Sequence, residues 1–408
     1  MPQVVQETGR SASQAPSKER PPSYSVLLKK FALQFCVAVT VGVLLLVLGE
    51  FIAYLKFSAH PHENIDLAMR EVTPNSSPSE REYWKEFKES NQIEYHPYVL
   101  WRREPYKGEQ IQVSDDGIRR TLHSQCDGHE FTIWMFGDST MWGAGAPDGE
   151  TIPSLVGAKY ENAGRKACVV NYGEKGWVGT QEIVQLMLEL RKPSAKKPDA
   201  VLFYDGSMET YVPYQSGLVD VHASYHRFKA YIEGWKKEDK PGFGYLQKTN
   251  TYHELEGLAE KLAADAKGHA GKKYTPQQVS DLAEAIVQNY LGNVEMVDAL
   301  AEHYHFRPIF IWHPNIEVGH KHLTADEQHL RYLEESGLPG ISELYRASYA
   351  RAAEIHRSDF YNFGNLLDDR NDTLYVEATH LSGEGNRIVA DRIFQILEQH
   401  SPGSSGGR

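Results

Sequence analysis

Short runs rich in β-branched and aromatic residues alternate with longer stretches of helical period from residue 129 onward, and this alternation restricts the possible architecture most. His129–Phe136 (HEFTIWMF) reads as a strand, Ala167–Asn171 as a second and Asp199–Tyr204 (DAVLFY) as a third. Arg307–Trp312 (RPIFIW) reads as a fourth and Asp359–Asn362 as a fifth. Between them, Thr180–Arg191 (TQEIVQLMLELR) has helical period. Thr275-Pro276-Gln277-Gln278 offers an N-cap, a first-turn proline and a capping-box glutamine. Val279, Leu282, Ile286, Tyr290, Val297 and Leu300 then recur at helical spacing, and Ser382–Gln399 reads as the last helix. Such an order specifies an α/β fold with a doubly wound, mostly parallel sheet. In such sheets the ligand site lies at the carboxyl ends of the strands. The stretch 213–274 fits no strand pattern. With the helix that follows, it reads as a helical insertion spanning about 213–305, near the site.

The N-terminus has a different character. Residues 1–30 are polar and rich in Ser, Pro, Gln and charge, and read as a disordered tail, as do residues 401–408. Phe31–Leu48 (FALQFCVAVTVGVLLLVL) is apolar apart from Gln34 and Thr40. With the GEFIAYL that follows, residues 31–55 can span a bilayer core of ~30 Å as one helix. Arg10, Lys18, Arg20, Lys29 and Lys30 precede the segment, whereas Lys56 stands nearly alone after it. This asymmetry keeps the N-terminus cytoplasmic and exports the remainder to the periplasm or the exterior. GEFIAYLKF is a poor cleavage site, so the segment reads as an uncleaved single-pass anchor. Residues 56–125 read as a linker and N-terminal extension, broken at Pro74-Asn75-Ser76-Ser77-Pro78, with a short amphipathic helix near Tyr83–Phe87.

The formal net charge is −12, which argues against a nucleic-acid partner, since phosphate binding needs a concentrated basic surface. Of the three cysteines, Cys36 lies in the apolar run. No Cys-x-x-Cys or Cys/His spacing of a zinc site occurs, so no structural metal is expected. Cys126 and Cys168 could pair in an oxidising compartment. The strand-like Ala-Cys-Val-Val setting of Cys168 favours two buried free thiols instead.

Two segments carry chemistry. In Phe136-Gly137-Asp138-Ser139-Thr140 a serine follows a strand at a tight turn, which exposes a hydroxyl at the sheet edge beside backbone N–H groups. In Glu377-Ala378-Thr379-His380 a carboxylate precedes a histidine by three residues, so one loop can bring a base and its orienting acid to one place. Alone, each has an ordinary alternative, a capping serine or a surface histidine. In this order, with Asn171-Tyr172-Gly173 after the second strand, Gly206-Ser207-Met208-Glu209 after the third and Leu381 to Asn386 after His380, the sequence resembles the SGNH (GDSL-like) hydrolase superfamily. GAGAPDGETIPS and GTQEIVQLMLEL are similar to a membrane-anchored bacterial branch of it. The resemblance covers about 130–212 and 306–398, within a domain of 126–400. It implies a flavodoxin-like three-layer α/β/α sandwich, no cofactor, and hydrolysis or transfer of acyl esters.

By that resemblance Ser139 is the nucleophile, His380 the base and Glu377 the orienting acid, with Asp372 and Asp369 as nearby alternatives. Gly173, Ser207 and Met208 fall at the oxyanion and substrate-binding positions. Two departures stand out. The oxyanion-hole Asn of the family is Met208 here, and a thioether donates no hydrogen bond. The acid is Glu rather than Asp, which can still orient a histidine. Elsewhere, His313-Pro314 sits after the fourth strand where an α/β site would be and reads as a turn, with pocket lining as the alternative; Arg119-Arg120 reads as a solvated turn, with a contact to an anionic substrate as the alternative; Lys321, His322 and Thr324 read as the start of a helix. The expected activity is that of an exported esterase or O-acyl transferase on cell-envelope carbohydrate or lipid. The alternative is a degenerate SGNH domain serving as a binding or scaffold protein in an envelope-assembly complex.

Overall fold

In a computed structural model of the chain, residues 24–59, 77–128, 130–193, 196–235 and 273–399 are described. The expected tail 401–408, most of the tail 1–30, the breaker Pro74–Ser76 and the centre of the insertion lie outside them. Helix α1 (Tyr24–Ala59) belongs to a separate unit from the rest. Its Leu28–Gly49 stretch, 22 residues, is long and apolar enough to cross a membrane. The helix starts at Tyr24 rather than Phe31, which corrects the disordered reading of 24–30. The apolar residues Tyr24, Val26, Leu27 and Leu28 already follow Pro21-Pro22, so helix-compatible sequence begins there.

The second unit opens with helix α2 (Pro78–Glu89), capped by Ser77. Two antiparallel hairpins follow: β1 (Ile93–His96) with β2 (Leu100–Arg103), and β3 (Tyr106–Lys107) with β4 (Gln112–Val113). The linker reading fails over these residues. Tyr83, Trp84 and Phe87 of α2 bury together with Ile111, Val113, Trp142 and Ala144. The Glu86 carboxylate accepts the backbone N–H groups of Glu109, Gln110 and Ile111 at 2.8–2.9 Å, locking α2 to the second hairpin.

The sheet is parallel throughout. Its strands are β5 (Phe131–Gly137), β6 (Ala167–Asn171), β7 (Ala200–Asp205), β8 (Arg307–Trp312) and β9 (Phe360–Asn362). They lie in the order β6-β5-β7-β8-β9. Counted from β5 this is 2-1-3-4-5, the flavodoxin-like order, whose topological switch point lies at β5. Intervening helices are α3 (Ser139–Trp142), α4 (Ile152–Asn162), α5 (Gly179–Leu190), α6 (Ser207–Ser216), α7 (Tyr225–Trp235), α8 (Pro276–Tyr304), α9 (Ala325–Gly337), α10 (Ile341–Ala352) and α11 (Gly383–Glu398).

Strand residues alternate between two cores, as a pleat of period two demands. Trp134, Phe136, Val201, Phe203, Phe310 and Trp312 face α5, α8 and α10. Ile133, Met135, Leu202, Ile309 and Ile311 face α4 and α11. Phe136, Phe203 and Phe310 are register partners on adjacent strands and stack with centroids 5.3 and 5.7 Å apart. This is the three-layer α/β/α sandwich expected.

Cys126 and Cys168 form a disulfide, which corrects the expectation of two buried thiols. The segment before β5 runs beside the β6 edge. Gln125 donates its N–H to Ala167 O, and Ser124 Oγ accepts Val169 N–H, both at 2.9 Å. That places exposed Cys126 against Cys168.

Candidate active site

Ser139 sits where β5 meets a one-turn helix. A Cβ on Gly137 would lie 2.7 Å from both Tyr204 O and Met141 Cβ, so only glycine fits this bend. Asp138 caps α3: its Oδ1 accepts Thr140 N–H and Oγ1–H at 2.7 Å each. The Gly143 N–H then closes the turn on Ser139 O at 3.1 Å, with Gly143 left-handed at φ 98°. Thr140 N–H and Trp142 N–H are thus taken, whereas Ser139 N–H has no acceptor among the described residues.

His380 reaches this turn from the loop before α11. Its Nε2 lies 2.8 Å from Ser139 Oγ, and its Nδ1 bonds the Glu377 carboxylate. Because the carboxylate can only accept, Nδ1 carries the proton and Nε2 accepts from the hydroxyl. Val376 N–H and Ser382 N–H donate to His380 O and Leu374 O at 2.9 and 2.7 Å, which folds the loop back on itself. Ser139 and His380 are each 3 % exposed. The alternative acids are elsewhere engaged or remote. Asp372 is held by Arg370 at 3.0 Å, and that guanidinium lowers its carboxyl to about 2. Asp369 makes no bond to His380 among the described residues.

The other expected site residues have different surroundings. The Gly173 N–H is donated to Asn171 Oδ1 at 3.0 Å rather than left free. Glycine is needed there because a Cβ would lie 2.4 Å from Trp142 N, so the loop after β6 presses directly on α3. The Ser207 hydroxyl lies 3.3 Å from Tyr345 OH, and its N–H points to His313. Met208 is buried with Val99, Trp101, Trp177, Val178 and Val212, so its side chain fills an apolar cluster. These contacts leave the oxyanion and substrate-binding roles of Gly173, Ser207 and Met208 as what the resemblance implies.

Two residues read as turns are buried. His313 has no exposed surface, stacks on Tyr204 and lies 3.7 Å from Asp138 Oδ2. Arg119 is also fully buried and pairs with Asp148 at 2.9 Å, while Arg120 donates to Gln112 Oε1 at the surface. Thr324 caps α9 as expected, and Lys321 pairs with Glu327 at 2.6 Å.

Two further charged groups escaped sequence reasoning. Lys175, in the loop after β6, lies over the Phe87 and Trp142 rings, 3.4 and 4.4 Å from their centroids, and donates to Asn91 Oδ1 at 3.0 Å. Burial, then Arg103 and Arg119, pushes its ammonium well below the usual lysine range. Behind the nucleophile turn, Glu182 and Asp205 are buried beside the half-buried Glu209, and burial raises both carboxyls well above the usual range. No spacing rule marks such residues, since their burial follows from tertiary packing that the local sequence does not encode.

No protein-family model and no curated protein matches the sequence. Solved structures to which the chain is similar include a lipolytic G-D-S-L family member from Veillonella parvula, at 11 % identity over 66 % of this chain and 99 % of that one, TM-score 0.35. Another is a psychrotrophic esterase from Pseudoalteromonas sp., at 12 % identity, 66 % and 98 % coverage and TM-score 0.34. A third is an acetyl xylan esterase, at 13 % identity, 65 % and 99 % coverage and TM-score 0.34. Likeness at that level carries no activity over, and the chemistry proposed below is argued from Ser139, His380 and Glu377 themselves.

Proposed function

We propose that this chain is an exported, membrane-anchored serine esterase or O-acyl transferase of the SGNH type, acting on acyl esters of cell-envelope carbohydrate or lipid. The supporting observation is the continuous relay from Glu377 through His380 Nδ1 and Nε2 to Ser139 Oγ. His380 takes the hydroxyl proton as Ser139 Oγ bonds to the ester carbonyl carbon. The tetrahedral oxyanion is held by the Ser139 N–H. As the C–O bond breaks, His380 returns the proton to the departing alkoxide, leaving an acyl-serine and a free alcohol. Water or a sugar hydroxyl, deprotonated by the same imidazole, then adds to the acyl carbonyl carbon; the bond from that carbon to Ser139 Oγ breaks, and His380 returns the proton to Ser139. Glu377 stabilises the imidazolium in both halves. A helix long and apolar enough to cross a membrane supports the anchored reading, and with it envelope esters as substrates.

A second reading, a degenerate SGNH domain serving as a scaffold, is favoured by the oxyanion side. Met208 lies in an apolar cluster, and Gly173 N–H is already bonded to Asn171. One experiment separates the two. The full chain in detergent is treated with a fluorophosphonate and, separately, with p-nitrophenyl acetate, beside Ser139→Ala. Labelling of wild type and not of the variant, with hydrolysis lost in the variant, supports the enzyme. Equal hydrolysis and no labelling would support the scaffold.

A further inference from the structure

A helix of one turn does not hold itself, because nucleation costs more than its few backbone hydrogen bonds return. Something outside α3 must therefore fix Ser139. The loop leaving α3, residues 142–148, turns three of its carbonyls toward one guanidinium. Arg119 Nη1 donates to Trp142 O at 3.2 Å and Gly143 O at 2.6 Å, and Nη2 donates to Ala146 O at 2.7 Å. Its Nε donates to Asp148 Oδ1 at 2.9 Å, so the buried cation has its counter-charge at the far end of the same loop. The guanidinium carbon also lies 4.2 Å from the centre of the Trp142 ring. Beside it, Tyr83 OH accepts the Gly145 N–H at 2.8 Å.

The opposite side of this loop faces the histidine. A Cβ built on Gly145 would lie 2.6 Å from Val376 Cγ2, 3.1 Å from Leu381 O and 3.8 Å from His380 Cβ. Two residues past Asp148, Glu150 O accepts from Asn386 Nδ2 of α11 at 3.0 Å. The loop is therefore pinched between Arg119 and Tyr83 on one side and the His380 segment on the other. Only a planar fork of donors meets several carbonyls and a carboxylate together. A lysine would reach one acceptor and leave others buried and unpaired.

We propose that Arg119, assisted by Tyr83, is a positioning residue: it holds loop 142–148 so that Ser139 Oγ and His380 Nε2 stay in hydrogen-bond contact, without touching substrate. The catalytic consequence rests on the esterase reading, but the contact itself is measurable without turnover. The full chain is labelled with [15N]histidine in detergent, and His380 is assigned with His380→Gln. The shift of its Nε2 resonance on Ser139→Ala reports the contact. The expected result is a clear Ser139→Ala shift in the wild-type background and little or none in Arg119→Lys, with both folded. Phosphonylation of Ser139 falls on the order of a hundredfold in Arg119→Lys, as misplacement of reacting groups by ~1 Å costs. Millimolar guanidinium added to Arg119→Ala restores part of the rate. Should the Arg119 variants fail to fold, Tyr83→Phe decides, since it removes one hydroxyl: a severalfold slower phosphonylation is expected of a variant that melts well above the assay temperature. An undiminished Ser139→Ala shift in Arg119→Lys, or a wild-type rate in Tyr83→Phe, overturns the proposal. A wild type that shows the shift yet resists phosphonylation would sink the esterase reading while leaving the Arg119 inference decided by the resonance.

Discussion

Ser207 donates its backbone N–H to Nε2 of His313 over 3.1 Å, and this bond fixes the protonation of a buried imidazole next to Asp138. With Nε2 accepting, the proton sits on Nδ1, which donates to Pro314 O at 2.8 Å. The neighbouring Asp138 Oδ2, 3.7 Å from Nε2, then receives no hydrogen bond from this ring. His313 is thus a buried strut tying the end of β8 to the start of α6. His313→Gln, whose amide can both accept and donate, is expected to stay near wild-type stability. His313→Leu strands the buried Ser207 N–H and should cost about 1–3 kcal/mol. Urea denaturation of the two variants checks the difference.

Burial sets a pH dependence opposite in sign to that of most surface carboxylates. Burial first, then Glu317, Glu377 and Glu335, raises the Glu334 carboxyl from 4.5 to about 8. Glu182 and Asp205 move in the same direction. The folded chain then keeps protons that the unfolded chain releases, so unfolding free energy falls as pH rises. The contribution is whole below about 4.5 and is lost as pH climbs toward 8. Groups shifted down, such as Glu327, Glu335 and Asp372, are already ionised across that window and add no slope there. Lys175, whose ammonium burial pushes down, contributes a slope of the opposite sign, so the carboxyls are read from the difference: between pH 5 and pH 8 wild type should lose more stability than Glu334→Gln or Glu182→Gln. Variant profiles parallel to wild type would contradict the assignment.

The Cys126–Cys168 bridge closes a loop with a sequence separation of 42, which contains β5, Ser139 and α4. In the chain-entropy treatment a cross-link of that span stabilises by about 4 kcal/mol. Cys126 is exposed, so a reductant can reach it. Incubation with dithiothreitol, or Cys126→Ala with Cys168→Ala, should lower the melting temperature by the same amount. Reduction without any loss of stability would count against the bridge.

What was legible in the sequence was what local physics decides. β5, β7 and β8 announce themselves as β-branched and aromatic runs bounded by Gly, Asp or Pro. α8 and α11 announce themselves by the caps Thr275 and Ser382, both of which accept the N–H three residues on. Glu377 and His380 share one loop, so their pairing needs no tertiary knowledge. Arg119 and His313 were not legible, because a lone charged or polar residue is buried or solvated according to what packs over it. β3 and β4 are two residues each, too short to show a period. Cys126 meets Cys168 only through pairing along the β6 edge, which no cysteine spacing encodes.

The Leu28–Gly49 helix predicts fractionation. The intact chain should remain with membranes through a high-salt wash and alkaline carbonate, since a spanning helix is not held by charge. A version lacking residues 1–59 should leave the membrane fraction. With the N-terminus inside, protease added to spheroplasts should digest the domain that carries Ser139. Protection of that domain would overturn the export reading.

Met208 separates motif from geometry. If it stood at an oxyanion position lacking only a donor, Met208→Asn would restore one and raise turnover, because such a donor is worth roughly a hundredfold or more. Its side chain instead packs among Val99, Trp101, Trp177 and Val178. An asparagine there buries an amide among apolar side chains, at a cost of roughly 1–3 kcal/mol. Met208→Asn is therefore expected to lower stability and leave the rate per folded molecule unraised, while Met208→Leu is nearly neutral in both. Hydrolysis and thermal melts on the same samples resolve the two effects. A gain in rate with Met208→Asn would mean that α6 turns this residue toward Ser139 during turnover.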